Sequence, residues 1–130
     1  MIVVDASAIV DVLAPRAPDP VLSERVRTGS LHAPYLIEIE VTNALRCLVA
    51  SHLLSADRAA DARDDFAALK ITRYPHLPLL DRVWELRDRL TPYDAAYVAL
   101  AELIGAPLVT CDARLARSRG HEAVVEIYRP

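Results

Sequence analysis

Short apolar runs alternate with helical patterns along the whole chain, and this alternation is what most restricts its fold. The first run, Ile2 to Val4, ends at Asp5 and is followed by apolar residues at helical spacing. A short apolar run bounded by polar residues is typical of a buried strand. Strands that alternate with helices form a parallel sheet through right-handed crossovers. We therefore expect an α/β fold: a three-layer α/β/α sandwich with a central parallel five-stranded sheet.

Caps and helix breakers give the approximate element boundaries. Asp19 before Pro20 is typical of a helix start, Ser55 and Thr91 are N-cap residues, and Gly105 is a C-terminal stop. The predicted strands are residues 2–4, 32–34, 71–74, 107–110 and 124–128. The predicted helices are residues 6–14, 20–28, 35–52, 55–70, 79–90, 91–105 and 112–120.

Length and composition indicate one domain, residues 1–130, with a substantial core. Hydrophobic residues make up 53%, and no apolar run is long enough to span a membrane. Asp5 and Asp11 interrupt the N-terminal apolar stretch, so we expect no signal peptide and a cytoplasmic location. Cys47 and Cys111 lack metal-binding spacing. The net charge of −3 argues against general nucleic-acid binding, and the three glycines form no phosphate-binding loop.

Three acids occupy similar positions relative to the predicted elements. Asp5 and Asp112 each follow an apolar run and precede a helix, and Asp94 lies in the first turn of a helix. Taken singly, each is explained as a helix cap. However, parallel α/β sheets bind ligands at the carboxyl ends of their strands. Convergence of these carboxylates at that edge would indicate a functional site.

A fourth acid comes from the long helix predicted over residues 35–52. Periodicity alone makes Glu38 and Glu40 equal candidates. Asn43 lies one turn after Glu40 and shares its helix face, which mildly favours Glu40.

Four fragments, in order, resemble a PIN domain, specifically the VapC-type toxin ribonucleases of bacterial toxin–antitoxin pairs. They are IVVDAS at residues 2–7, EVTNALR at 40–46, TPYDAAYVALA at 91–101 and LVTCD at 108–112. The resemblance runs essentially end to end. It places the family's acids at Asp5, Glu40, Asp94 and Asp112, and so selects Glu40 over Glu38.

The resemblance also implies a function and partners. The family cleaves structured RNA, typically transfer or ribosomal RNA, and thereby stops translation. It forms homodimers, and a cognate VapB-type antitoxin blocks its acidic cleft. Ser7, Asn43 and Thr110 match polar positions that support the acids. Some relatives carry a further acid soon after the last one, where this chain has Arg114 and Leu115. Whether a second metal site is occupied is therefore left open.

Four gathered carboxylates require a cation or partial protonation, because like charges repel. Carboxylate oxygens without His or Cys ligands favour Mg²⁺ or Mn²⁺ over zinc. We expect Asp5 and Asp94 to be direct ligands, with Glu40 and Asp112 orienting waters or completing a second metal site. Among the arginines, Arg46 and Arg114 lie within a turn of the acids and are the candidates for RNA binding. The list of expected metal ligands and catalytic residues is therefore Asp5, Glu40, Asp94 and Asp112.

Two other interpretations compete with a nuclease. Receiver domains and haloacid-dehalogenase-type phosphohydrolases also carry an acid after the first strand. The dehalogenase type needs a second Asp where this chain has Ser7, and both types need a late lysine, whereas Lys70 precedes the third strand. The other alternative is a catalytically silent PIN-like module that binds RNA or protein, against which the four intact acids argue.

Overall fold

The fold is a five-stranded, all-parallel sheet in the order β3-β2-β1-β4-β5, and the expected sheet is confirmed. The structure is a computed structural model that describes residues 1–128; residues 129 and 130 of the predicted domain lie outside this range. The strands are β1 (Ile2–Val4), β2 (Leu31–Pro34), β3 (Ile71–Tyr74), β4 (Leu108–Thr110) and β5 (Val125–Ile127).

Helices connect the strands and cover both faces of the sheet. They are α1 (Ala6–Leu13), α2 (Pro20–Thr28), α3 (Ile37–Ala50), α4 (Ala56–Ala68), α5 (Leu80–Glu85), α6 (Pro92–Ile104) and α7 (Ala113–Ala116), with a 3₁₀ turn at Leu77–Leu79. Helices α1 to α4 pack on one another, and α5 packs on α6. Strand order reverses after β3, so right-handed crossovers put these two groups on opposite faces.

The central strand β1 and helix α6 form the middle of the core. Val3 and Val4 are fully buried, as expected for a strand covered on both faces. Residues 95–101 of α6 are also buried, and alanines at four of these seven positions let the helix lie close to β1 and β2. This placement fixes the start of α6 near the carboxyl end of the sheet.

The predicted caps are confirmed. The side chains of Asp19, Ser55 and Thr91 accept hydrogen bonds from the first turns of α2, α4 and α6. Gly105 ends α6 with a φ of 65°, a left-handed conformation that strains other residues.

The helix predicted over residues 79–90 is too long. Helix α5 ends at Glu85, and residues 86–90 form turns. The Leu86 carbonyl accepts from the amides of Arg89 and Leu90, while the Arg87 guanidinium donates to the Trp84 carbonyl at 2.9 Å. The Arg87 guanidinium occupies the Trp84 carbonyl, which would accept from the Asp88 amide in a continuing α-helix, and the Arg89–Leu86 bond spans only three residues, as in a 3₁₀ turn. The helix predicted over residues 112–120 likewise ends early, at Ala116. Within residues 1–128, no helix is long and apolar enough to cross a bilayer.

Candidate active site

The four predicted acids line one pocket at the carboxyl edge of the sheet. Strands β1 and β4 are neighbours here, and the chain leaves them in opposite directions, which makes this the switch point of the sheet. The pocket has a volume of about 590 Å³. It is lined by Asp5, Ala6, Ser7, Leu36, Ile39, Glu40, Asn43, Ala44, Tyr93, Asp94, Tyr97, Asp112 and Arg114.

Asp5 forms the floor of the pocket and caps helix α1. Its side chain is buried, and Oδ1 accepts hydrogen bonds from the Ala8 amide at 3.0 Å and from Ser7 Oγ at 2.7 Å. Thr110 Oγ1 donates to the other oxygen. Burial nevertheless raises the pKa of Asp5 to about 6, because desolvation outweighs these three bonds and the Asp112 charge adds to it.

Ser7 and Thr110 join the ends of β1 and β4 around Asp5. Each donates its single hydroxyl hydrogen to Asp5, so the hydroxyl oxygens of Ser7 and Thr110 can only accept further hydrogen bonds. Ser7 Oγ accepts from the Cys111 amide at 2.9 Å, and Thr110 Oγ1 accepts from the Asp112 amide at 3.0 Å. The β4–α7 turn, which carries Asp112, is thereby tied to Asp5.

Glu40 enters the pocket from α3 and is held by a residue that the sequence did not single out. The buried Tyr97 hydroxyl of α6 donates to Glu40 Oε1 at 2.7 Å. Burial raises the pKa of Glu40, the Tyr97 bond lowers it, and the Asp94 charge raises it further, with a net rise. Its spacing could have indicated this role, because Tyr97 lies three residues after Asp94, on the same face of α6.

Asp94 lies half-buried in the first turn of α6. The Thr91 cap accepts from its amide at 3.2 Å. Burial, followed by the charge of Asp112, raises the pKa of Asp94, although Arg114 opposes this.

Asp112 differs from the other three acids because it has a cationic partner. It caps α7, and Arg114 contacts it twice, through its amide at 2.9 Å and its guanidinium at 3.2 Å. Burial alone would raise its pKa, but the bonds and charge of Arg114 hold the pKa of Asp112 below its usual value. Arg114 is therefore the cation of this pocket.

Some predicted residues make other contacts. Asn43 lines the pocket, but its side-chain oxygen accepts from Arg46 at 3.0 and 3.1 Å. Arg46 itself lines a different groove, between α3 and α4. Glu38, the alternative to Glu40, pairs with Arg73 at 2.6 Å and is not among the residues that line the pocket.

The donor set fits a hard divalent cation. Four carboxylates share the pocket with one arginine, Arg114, and the acids offer oxygen ligands only. Within residues 1–128, no group of three or more His, Cys, Asp or Glu side chains is arranged so that it could hold a metal ion by itself. Mg²⁺ does not require one, because it keeps several waters and is often held by one or two carboxylates.

Comparison with known proteins gives the family. The PIN domain family model matches residues 2–120. Ribonuclease VapC12 of Mycobacterium tuberculosis is 40% identical over 127 residues, which cover 98% of each chain. Ribonuclease VapC1 of the same organism is 40% identical over 129 residues, covering 98% of this chain and 97% of the other.

Solved structures agree with these matches. PAE2754 from Pyrobaculum aerophilum superposes with a TM-score of 0.64 at 28% identity, over 95% of this chain and 87% of its own. VapBC2 from Rickettsia felis superposes with a TM-score of 0.68 at 14% identity, over 98% of each chain, and supports the fold. The chain therefore belongs to the PIN domain family and, within it, groups with the relatives named VapC.

Proposed function

We propose that this protein is a metal-dependent endoribonuclease toxin of a toxin–antitoxin pair. It cleaves structured RNA, such as transfer or ribosomal RNA, in the cytoplasm and thereby inhibits translation. The observation that carries the proposal is the meeting of Asp5, Glu40, Asp94 and Asp112 in one pocket at the switch point. The names of the VapC relatives supply the substrate class.

The pocket residues divide the work of phosphodiester hydrolysis. Asp5 and Asp94 would hold Mg²⁺ or Mn²⁺, which would supply positive charge at the phosphate. Glu40, fixed by the Tyr97 hydroxyl, would orient the attacking water and accept its proton as the new P–O bond forms and the P–O bond to the leaving ribose oxygen breaks. Asp112 orients a further water. Ser7 and Thr110 hold the Asp5 carboxylate in place through their hydroxyl groups.

Arg114 is the residue we assign to RNA contact within the pocket. Its guanidinium is largely exposed and pairs with Asp112, so it can turn to a phosphate oxygen without leaving the site. Arg46, the other predicted RNA-binding residue, lies in the groove between α3 and α4, where it would contact only RNA that extends beyond the pocket.

The partners we propose follow from relatives. VapBC2 of Rickettsia felis was solved bound to a DNA fragment from its promoter. We propose that this chain likewise has a VapB-type antitoxin, which covers the acidic pocket, and that it forms a homodimer.

Cleavage of RNA by the purified protein tests the activity. Total RNA is incubated with the parent, with Asp5→Asn and with Asp94→Asn, each with Mg²⁺, with Mn²⁺ or with a chelator. We expect discrete fragments only from the parent with metal. Glu102→Gln is the matched control, because Glu102 is a carboxylate of α6 that binds Arg82 outside the pocket. Equal fragments from all proteins would indicate a contaminant, and RNA binding without cleavage would favour the silent binding module.

A further inference from the structure

An exposed aromatic ring stands beside the carboxylates. Tyr93 directly precedes Asp94, lines the same pocket and is 59% exposed. In the part of the chain that the structure describes, its hydroxyl makes no hydrogen bond and its ring packs on no other ring. Neither the contacts of the fold nor the proposed chemistry of the acids accounts for this exposed side chain.

The position of Tyr93 is fixed by the start of α6. Pro92 occupies the first turn of the helix, and Thr91 caps it. A ring on such a rigid backbone loses little conformational entropy when a ligand binds, since only its own side-chain torsions remain to be ordered.

A second exposed apolar side chain reaches the pocket from another helix. Ile39 of α3 is 70% exposed and lines the pocket, one residue before Glu40. The carboxylates therefore have an aromatic residue of α6 and an aliphatic residue of α3 beside them. Apolar side chains around a polar centre are typical of a ligand-binding pocket.

The negative charge of the pocket side chains favours an uncharged contact with RNA. Four acids face one arginine there, and the whole chain carries a net charge of −3. Electrostatic attraction to the RNA backbone is correspondingly weak. Base stacking on an aromatic side chain needs no positive charge and contributes about 1–3 kcal/mol per base.

We propose that Tyr93 stacks on the nucleobase next to the scissile phosphate, and that Ile39 packs against the same nucleotide. This rests on the proposed function and specifies its substrate. A base that stacks on Tyr93 has left its own helix, and sequence-specific RNA recognition usually targets such unstacked bases. The substrate is therefore an unpaired nucleotide in a loop, bulge or single strand, and fully paired RNA is excluded.

Binding can be measured without cleavage. A fluorescently labelled single-stranded oligoribonucleotide, and the same strand annealed to its complement, are titrated into Asp94→Asn with and without Tyr93→Ala, in Mg²⁺. We expect Tyr93→Ala to weaken binding of the single strand by about 5- to 150-fold, the equivalent of one stacked base. Binding of the duplex should not change, and Tyr93→Phe, which keeps the ring, should bind like tyrosine.

An abasic substrate locates the contact. The cut site is mapped with the parent, and oligoribonucleotides spanning it are made with one flanking base removed at a time. At one position, base removal should slow the parent as much as Tyr93→Ala does, and should slow Tyr93→Ala no further. Independent, additive losses at every position would overturn the proposal.

Two further results separate the possibilities. Trp84→Ala removes another exposed aromatic residue, one outside the pocket, and should leave RNA binding unchanged. An equal loss in Trp84→Ala, or unchanged binding in Tyr93→Ala, overturns the stacking contact. If Tyr93 governs binding of unpaired RNA but the parent cuts no RNA, the proposed nuclease function fails while the stacking site stands.

Discussion

Two groups of carboxylates in this molecule have opposite electrostatic surroundings. One group lies where α5, α6 and the segment before β5 meet. The Glu102 carboxylate there accepts hydrogen bonds from the Arg82 guanidinium at 2.8 and 3.0 Å and from the Glu122 amide at 2.8 Å. The Arg82 bond leads the effects that hold the pKa of Glu102 below its usual value. In the pocket, by contrast, burial raises the pKa of Asp5 to about 6.

The opposite pKa shifts distinguish a carboxylate that stabilises the fold from carboxylates that are positioned to bind a ligand. A charged Glu102 is favoured by folding, whereas a charged Asp5 is disfavoured by it. Three of the four pocket acids have raised pKa values, and only Asp112 is paired with a cation. Proteins tolerate such an arrangement mainly where function requires it.

The largest effect should follow from Asp94→Asn. The Asp94 carboxylate is a proposed metal ligand, so we expect the cleavage rate to fall by about 100-fold or more. The free energy of unfolding without metal should stay the same or rise, because the raised pKa shows that folding disfavours its charge. Initial cleavage rates and urea denaturation in chelator check the two parts. A variant that is inactive because it is unfolded would contradict the second part.

The next effect is a pH dependence carried by Asp5. Its pKa rises from 3.8 to about 6 on folding, so the folded state binds more protons between these values. The free energy of unfolding should therefore fall as the pH rises through this window, by about 1–3 kcal/mol. Urea denaturation of the metal-free protein across the window measures it.

Asp5→Asn is the control for this pH dependence. Asparagine keeps the cap of α1 but does not titrate, so the part of the pH-dependent loss that Asp5 carries should disappear. Parallel pH profiles for the parent and the variant would show that Asp5 does not carry the effect.

A smaller change should follow from Glu102→Gln. It weakens a paired, half-buried contact with Arg82, and we expect the free energy of unfolding to fall by about 1–2 kcal/mol. Cleavage by the folded variant should match the parent. Reduced cleavage at full stability would mean that the two groups of carboxylates are not independent.

The smallest effect concerns Tyr97→Phe. The variant keeps the buried ring and removes the donor to Glu40, at a cost of about 1 kcal/mol near neutral pH. Because the bond lowers the pKa of Glu40, its loss raises that pKa further. The stability difference from the parent should therefore shrink below the pKa of Glu40, where the hydroxyl donates to a neutral carboxyl. An undiminished difference in acid would point to altered packing, and urea denaturation at both pH values measures the change.

The sequence predicts the positions set by local signals. Asp5 and Asp112 follow strands and precede helices, so chain order alone places them at one edge of the sheet. Glu40 required the family resemblance, because helical periodicity does not distinguish it from Glu38. The ion pair that occupies Glu38 joins α3 to Arg73 in β3, and no local pattern contains it.

Local sequence patterns do not predict contacts between elements that are distant along the chain. The Tyr97–Glu40 bond spans two helices on opposite faces of the sheet, and Tyr97 looks like an ordinary core residue of α6. Arg46 lies near Glu40 in sequence, yet its side chain donates to Asn43 and lines another groove. The end of α5 depends on side-chain competition at Trp84, which periodicity does not report.

The helix-capping role of two pocket acids has an evolutionary consequence. Asp5 and Asp112 accept bonds from the first turns of α1 and α7, whereas Glu40 serves no cap. In a descendant freed from selection for activity, folding would still retain Asp, Asn, Ser or Thr at positions 5 and 112. Position 40 would be under no capping constraint. Lineages that have lost the activity should therefore be recognisable by what replaces Glu40, even while the capping positions look intact.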